Sequence, residues 1–231
     1  MTAPAATTPK AAPASDWPSF IASNTRLLAP PLVPEIRLHL AEESLPIWRR
    51  TEEELGEINV PPPYWAFAWA GGQALARHLI DNPALVAGRH VLDLGSGSGL
   101  TAIAAMRSGA ATCLAADIDR VALAAVTLNA AANGVTVTTT ADDLLALPPE
   151  RRFGTILVGD LFYERTLAAL VERFIDAAAK DGANVLIGDP GRSYFPKGRF
   201  EKVAEFRVPV TRELEDAEIK QTAVWQIAGH G

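Results

Sequence analysis

Short apolar runs and helically spaced apolar stretches alternate through most of this chain, with glycine, proline or an acidic residue marking where each one stops. Residues 71–81 place Leu75, Leu79 and Ile80 at helical spacing and end at Asn82-Pro83, which predicts a helix. Residues 90–94 form a compact apolar run that breaks into Gly95-Ser96-Gly97-Ser98-Gly99, and 100–107 read as a helix stopped by Gly109. Residues 112–116 predict a second strand ending at Asp117, followed by a helix over 121–132 closed by Asn133-Gly134. The β-branched run 135–140 predicts a third strand. A fourth strand over 155–159, a helix over 165–179 and a fifth strand over 183–188 come next, then two late strands over 200–209 and 222–228. The polar stretch 211–221 between those two is too irregular for a crossover helix.

This alternation predicts an α/β fold: a doubly wound, mostly parallel seven-stranded sheet with helices on both faces and an antiparallel C-terminal hairpin at one edge. Ahead of it, residues 1–16 are Ala, Thr, Pro and Ser with a lone Lys10, a composition that predicts a disordered tail. Residues 17–60 carry apolar stretches interrupted by Pro30, Pro31, Pro34 and Pro46, and predict a short N-terminal helical extension packed over the body. The remaining residues, 61–231, form the main domain, entered through Pro61-Pro62-Pro63, which favour an extended approach.

Composition narrows the function classes. Of 231 residues 48% are hydrophobic and 21% charged, enough apolar content for a substantial core. A formal charge of −6, from 27 acidic and 21 basic side chains, argues against a dedicated nucleic-acid binder. No apolar run approaches the length of a membrane span. Cys113 is the only cysteine, so no disulfide forms within the chain, and His39, His78, His90 and His230 have no metal-ligand spacing. Neither a secretory h-region nor an Arg-rich transit pattern opens the sequence, and a cytoplasmic monomer is expected.

The candidate chemistry begins at Asp93-Leu94-Gly95-Ser96-Gly97-Ser98-Gly99, at the carboxyl end of the first strand, where open α/β sheets bind ligands. A dinucleotide fingerprint needs a third glycine at position 100, which is Leu100 here. Asp93 would repel a pyrophosphate but suits a ligand carrying an ammonium or sulfonium group, and these two observations favour S-adenosyl-L-methionine. Asp117, ending the second strand, can accept both ribose hydroxyls of either cofactor. Asp119 is placed to cap the following helix. Asp142 either accepts from an adenine amino group or, with Asp143, caps a turn.

Val91-Leu92-Asp93-Leu94-Gly95-Ser96-Gly97-Ser98-Gly99 followed by Asp117 and a late hairpin resembles the class I (seven-β-strand) S-adenosylmethionine-dependent methyltransferases. Three longer stretches are more selective: Pro63-Tyr64-Trp65-Ala66-Phe67-Ala68-Trp69-Ala70-Gly71-Gly72-Gln73-Ala74-Leu75, Gly159-Asp160-Leu161-Phe162-Tyr163-Glu164, and Leu186-Ile187-Gly188-Asp189-Pro190-Gly191-Arg192. Together, over roughly residues 60–228, they resemble the lysine methyltransferases that act on the β subunit of electron-transfer flavoprotein. The resemblance implies that subunit as protein substrate, with a ribosomal protein as a second acceptor; another protein or a small amine is the alternative. The family's usual proline before Gly71-Gly72 is Ala70 here.

The resemblance also assigns roles. Trp69 is expected to pack against the donor, with a place in the core as the competing reading; Tyr64 and Trp65 line a substrate channel or fill the core. Gly95, Ser96, Gly97 and Gly159 join Asp93, Asp117 and Asp142 around the cofactor. Asp160, Tyr163 and Glu164 are the expected catalytic group: Asp160 to hold the incoming ammonium, or else simply to form a turn, Tyr163 to contact the amine or its alkyl stem, and Glu164 to assist or to cap the next helix. Asp189 and Arg192 either pair at the substrate mouth or belong to a Pro-Gly turn.

Overall fold

A computed structural model describes residues 17–41, 63–150, 152–210 and 219–227. The expected tail 1–16, residues 42–60 of the N-terminal extension and Pro61-Pro62 lie outside these. Helices are α1 (Trp17–Asn24), α2 (Ala70–Asp81), α3 (Leu100–Arg107), α4 (Arg120–Ala132) and α5 (Arg165–Lys180). Strands are β1 (Arg26–Leu28), β2 (Leu38–Leu40), β3 (His90–Leu94), β4 (Thr112–Ala116), β5 (Thr138–Thr140), β6 (Thr155–Gly159), β7 (Asn184–Asp189), β8 (Glu201–Pro209) and β9 (Ile219–Gln226).

The seven-stranded sheet has the order β5-β4-β3-β6-β7-β9-β8. All neighbours from β5 through β7 run parallel, and β9 pairs antiparallel with both β7 and β8. The chain walks outward from β3 to β5, then returns to lay β6 on the other side of β3. That reversal leaves the carboxyl ends of β3 and β6 side by side, the place where such sheets open a ligand crevice.

The central strands are apolar on both faces because helices cover both. Val91, Leu157 and Leu186 point to α2 and α3, meeting Leu75, Leu79 and Ile103. Leu92, Ile156, Val158 and Ile187 point the other way, onto α5 through Val171, Phe174 and Ile175. The third strand is shorter than the β-branched run predicts. Only 138–140 find ladder partners on β4, while Val135 and Val137 pack into the core instead.

The N-terminal segment differs from its helical expectation. One helix, α1, forms, but residues 26–28 and 38–40 pair as an antiparallel ribbon. Its backbone is held by side chains of α4: Asn129 Oδ1 accepts from the His39 N–H at 2.7 Å and Asn133 Oδ1 from the Arg37 N–H at 2.9 Å. Asn129 also donates to the Ser98 carbonyl at 2.8 Å, so one buried amide ties the ribbon to the glycine loop.

Helix α2 and strand β7 approach to backbone contact. A Cβ on Gly71 would lie 2.2 Å from the Gly188 carbonyl oxygen, and one on Gly188 would lie 2.1 Å from that of Gly71. Only two glycines let helix and strand backbones touch here. Gly188→Ala must push α2 off the sheet, and overpacking of this kind should lower unfolding stability by at least about 2 kcal/mol. Chemical denaturation measures it; an unchanged midpoint would mean that the contact is not made.

Candidate active site

A cavity of about 650 Å³ opens along the carboxyl ends of β3, β4 and β6. Gly95, Gly97 and Gly99 take φ values of +65°, +52° and +81°, which turns the chain sharply from β3 into α3. Asp93 supports this turn from inside. Its carboxylate, 1% exposed, accepts from Ser96 Oγ and Thr101 Oγ1, both at 2.5 Å, and from the Ala102 N–H at 3.2 Å. Burial pushes the Asp93 carboxyl up, and these donors oppose that shift. Asp93 and Ser96 do not line the cavity; their side chains bond to each other and, from Asp93, to α3, and so shape the loop that does line it.

Asp117 lines the cavity itself. Its Oδ2 accepts from the Gly97 N–H at 2.9 Å and its Oδ1 from the Asp119 N–H at 3.0 Å, while burial raises its carboxyl. Asp119 caps α4 as expected, accepting from the Val121 N–H at 2.8 Å. Beside Asp117, Ile118 is 76% exposed, and Leu144 and Leu145 share the same cavity wall. This apolar slot was not anticipated from the sequence; the signal was an isoleucine directly after a strand-ending acid. Asp142 stands at the slot's edge with its Oδ2 accepting from Thr140 Oγ1 at 2.8 Å, and Asp143 caps the short turn 144–146. An acid aimed at a diol next to an apolar slot fits a nucleoside, and the volume suits a ligand of that size.

At the other end of the cavity lie Gly159, Asp160, Tyr163, Glu164, Trp69 and Arg192. Asp160 is the one non-glycine described residue with positive φ, +58°. Its backbone N–H donates to the Gly188 carbonyl at 3.0 Å, and its Oδ2 accepts from the Gly72 N–H at 2.9 Å. Oδ1 receives the Arg192 guanidinium through Nη2 at 2.7 Å and Nε at 3.1 Å. The mouth pair expected between Asp189 and Arg192 is thus differently built. Arg192 gives its guanidinium to Asp160, and Asp189 takes the backbone N–H groups of Gly191 at 2.6 Å and Arg192 at 2.7 Å.

Aromatic side chains frame this end. Trp69 donates its indole N–H to the Tyr64 carbonyl at 2.9 Å, with the Arg192 guanidinium 5.5 Å from its ring centroid. Tyr64 and Tyr163, each about half exposed, lie with ring centroids 6.1 Å apart. Burial and the neighbouring Tyr64 raise the Tyr163 phenol. Trp65 is 1% exposed and packs with Ile21 and Val121, so it serves the core while one surface borders the cavity. Glu164 borders the cavity too, but its two oxygens accept from the Thr166 and Leu167 N–H groups at 2.8 and 2.9 Å. These bonds hold its carboxyl low and make it the cap of α5, the alternative the sequence offered beside a part in the chemistry. Ala70 is the first helical residue of α2, a position that also accommodates proline, so the departure noted there leaves the helix start intact.

Comparison with known proteins agrees with this geometry. Residues 75–188 match the family model "Ribosomal protein L11 methyltransferase". Over 213 residues, 90% of this chain and 82% of the other, it is 38% identical to the electron transfer flavoprotein beta subunit lysine methyltransferase of Mus musculus. The protein of the same name from Danio rerio is 37% identical over 217 residues, covering 91% of this chain and 83% of its own. Among solved structures, the ribosomal protein L11 methylase of Lactobacillus delbrueckii subsp. bulgaricus superposes with a TM-score of 0.50 at 25% identity, over 70% of this chain and 81% of that one.

Gly97 offers a direct test of the cavity. An added Cβ there meets nothing nearer than the Trp65 Cα at 3.9 Å, so a large side chain has room to extend along the cavity floor. The φ of +52° costs any side chain there about 1 kcal/mol, so Gly97→Arg should fold with slightly lower stability and lose at least about tenfold in affinity for S-adenosylhomocysteine by calorimetry. Full affinity in that variant would place the nucleoside elsewhere.

Proposed function

Since this chain belongs to the family of electron transfer flavoprotein beta subunit lysine methyltransferases, we propose that its acceptors are lysine side chains of that flavoprotein subunit. When bound, S-adenosylmethionine supplies a methyl group activated by a sulfonium. Asp117 accepts the ribose hydroxyls, Ile118, Leu144 and Leu145 cover the adenine, and Asp142 faces its amino edge. Gly95, Gly97 and Gly159 leave the space that a side chain would fill, and Trp69 closes the wall toward the mouth.

An unperturbed lysine is charged near neutrality, and removing its proton there costs about 5 kcal/mol. Asp160 receives the ammonium at the mouth, with Arg192 sharing its charge so that the carboxylate attracts the cation without gripping it. Tyr163 and Tyr64 flank the alkyl stem, stripping water from it, which favours the neutral amine. Aligning that amine for in-line attack then supplies much of the rate.

The observation that carries this reading is the pairing of an acid for the nucleoside, Asp117, with an acid and two exposed tyrosines at the opposite end of one cavity. The match to the L11 methyltransferase model supports a ribosomal protein as a second acceptor. The test is incubation of the purified chain with labelled donor and recombinant flavoprotein, followed by mass mapping of lysines. Methylated lysines in the β subunit are expected, and a flavoprotein left unlabelled while a ribosomal protein is modified would reverse the assignment. In the same assay Asp160→Asn should lose at least about a hundredfold in kcat while binding S-adenosylhomocysteine within a few-fold of the parent. Asp160→Ala should in addition be less stable, because the partly buried Arg192 guanidinium loses the Asp160 carboxylate.

A further inference from the structure

Asp189 ends β7 one residue before the Pro190-Gly191 turn and is 1% exposed. Its Oδ1 holds two backbone N–H groups, while its Oδ2, also buried, finds no hydrogen-bond partner among the described residues. A buried carboxylate oxygen without a donor is costly to keep, and nothing in the packing of β7 requires a carboxyl there. Its position supplies a reason. The residue whose N–H it holds is Arg192, and the Arg192 guanidinium is the one bonded to Asp160. Among the described residues, the Arg192 guanidinium thus stands between the Asp160 and Asp189 carboxyls, at the end of the cavity where the acceptor amine enters.

We propose that Asp189 is a positioning residue for methyl transfer: through the Arg192 backbone it sets the guanidinium against Asp160, and its own ionisation adds one negative charge at the end of the cavity where the acceptor cation enters. The inference rests on the lysine-transfer reading above. Ionising Asp189 makes this end of the cavity one charge more negative than it is with Asp189 neutral, which favours an incoming ammonium.

Burial pushes the Asp189 carboxyl up to about 7, and the Asp160 charge adds to the effect against the opposing N–H groups and guanidinium of Arg192. Around it, β9 presents Ala223 opposite in the ladder, the near end of α2 presents Gly71 and Gly72, and the start of α5 carries Arg165, which is turned over the Tyr194 ring at 5.4 Å. Among the described residues, Asp160 and Arg192 are the charged groups acting on it. Below pH 7 Asp189 is neutral, and above pH 7 its ionised carboxylate adds to the attraction of the mouth for cations. The acceptor lysine stays charged across that interval, so a change in KM there reports on the site and not on the substrate.

The experiment is steady-state methylation of recombinant flavoprotein by the parent and by Asp189→Asn, from about pH 6 to about pH 8.5, with S-adenosylhomocysteine affinity measured alongside. Asparagine keeps an acceptor for the two N–H groups. In the parent, KM for the flavoprotein should fall roughly tenfold as pH rises through 7, the size expected of one charge acting over about 10 Å at an effective dielectric of about 20. Asp189→Asn should hold KM at its low-pH value throughout, with product affinity unchanged. Infrared spectra should show a protonated carboxyl in the parent below pH 7 that is missing from the variant. A parent that methylates flavoprotein but keeps the same KM profile in Asp189→Asn, or the same infrared band in both, overturns the role of Asp189 alone. A parent that labels no flavoprotein lysine overturns the acceptor assignment, and this inference with it.

Discussion

The arrangement depends on one carboxylate. Asp160 accepts from the first turn of α2 through Gly72, donates its own N–H to β7 through Gly188, and receives the guanidinium of Arg192 from the turn beyond β7. Three pieces of chain meet there because Gly71 and Gly188 let α2 and β7 approach to backbone contact. A φ of +58° at a non-glycine residue is strained, and it persists because all of these partners hold it. Strain of this kind gathers where a side chain must point at a ligand instead of into the core, which is what the cavity end of β6 requires.

The two ends of the cavity solve different problems with the same residue type. Asp117 is raised by burial and drawn back by two backbone N–H groups, and in the proposed function it faces neutral hydroxyls. Asp160 is set against a guanidinium and, in the same proposal, faces a cation in transit. Asp93, the third acid, is wholly enclosed, and its three donors preserve the turn that exposes the Gly97 backbone. Swapping these environments would leave the charge count unchanged and the chemistry disabled, because placement and partners decide what each carboxylate can do.

Much of this was legible in the sequence. The strands 90–94, 112–116 and 155–159 match their predicted limits, since parallel strands buried on both faces read as unbroken apolar runs ending at glycine or aspartate. The glycine loop and Asp117 announced the cavity for the same local reason. What escaped was set by distant partners. The ribbon at 26–28 and 38–40 is anchored by Asn129 and Asn133, about a hundred residues away in sequence, so local helical spacing misled there. The Asp160–Arg192 pair spans 32 positions and two strands, and no periodicity announces it. Glu164 looked catalytic because of its neighbours, yet the helix that starts behind it claims both of its oxygens.

The most direct test of the central claim is a double-mutant cycle on Asp160→Asn and Arg192→Met, read in both unfolding free energy and kcat. If the pair holds α2, β7 and the mouth together as one unit, the two changes should couple by at least about 1 kcal/mol in each readout. Strictly additive effects in both would mean that Asp160 and Arg192 act independently, and the account of the site would fail.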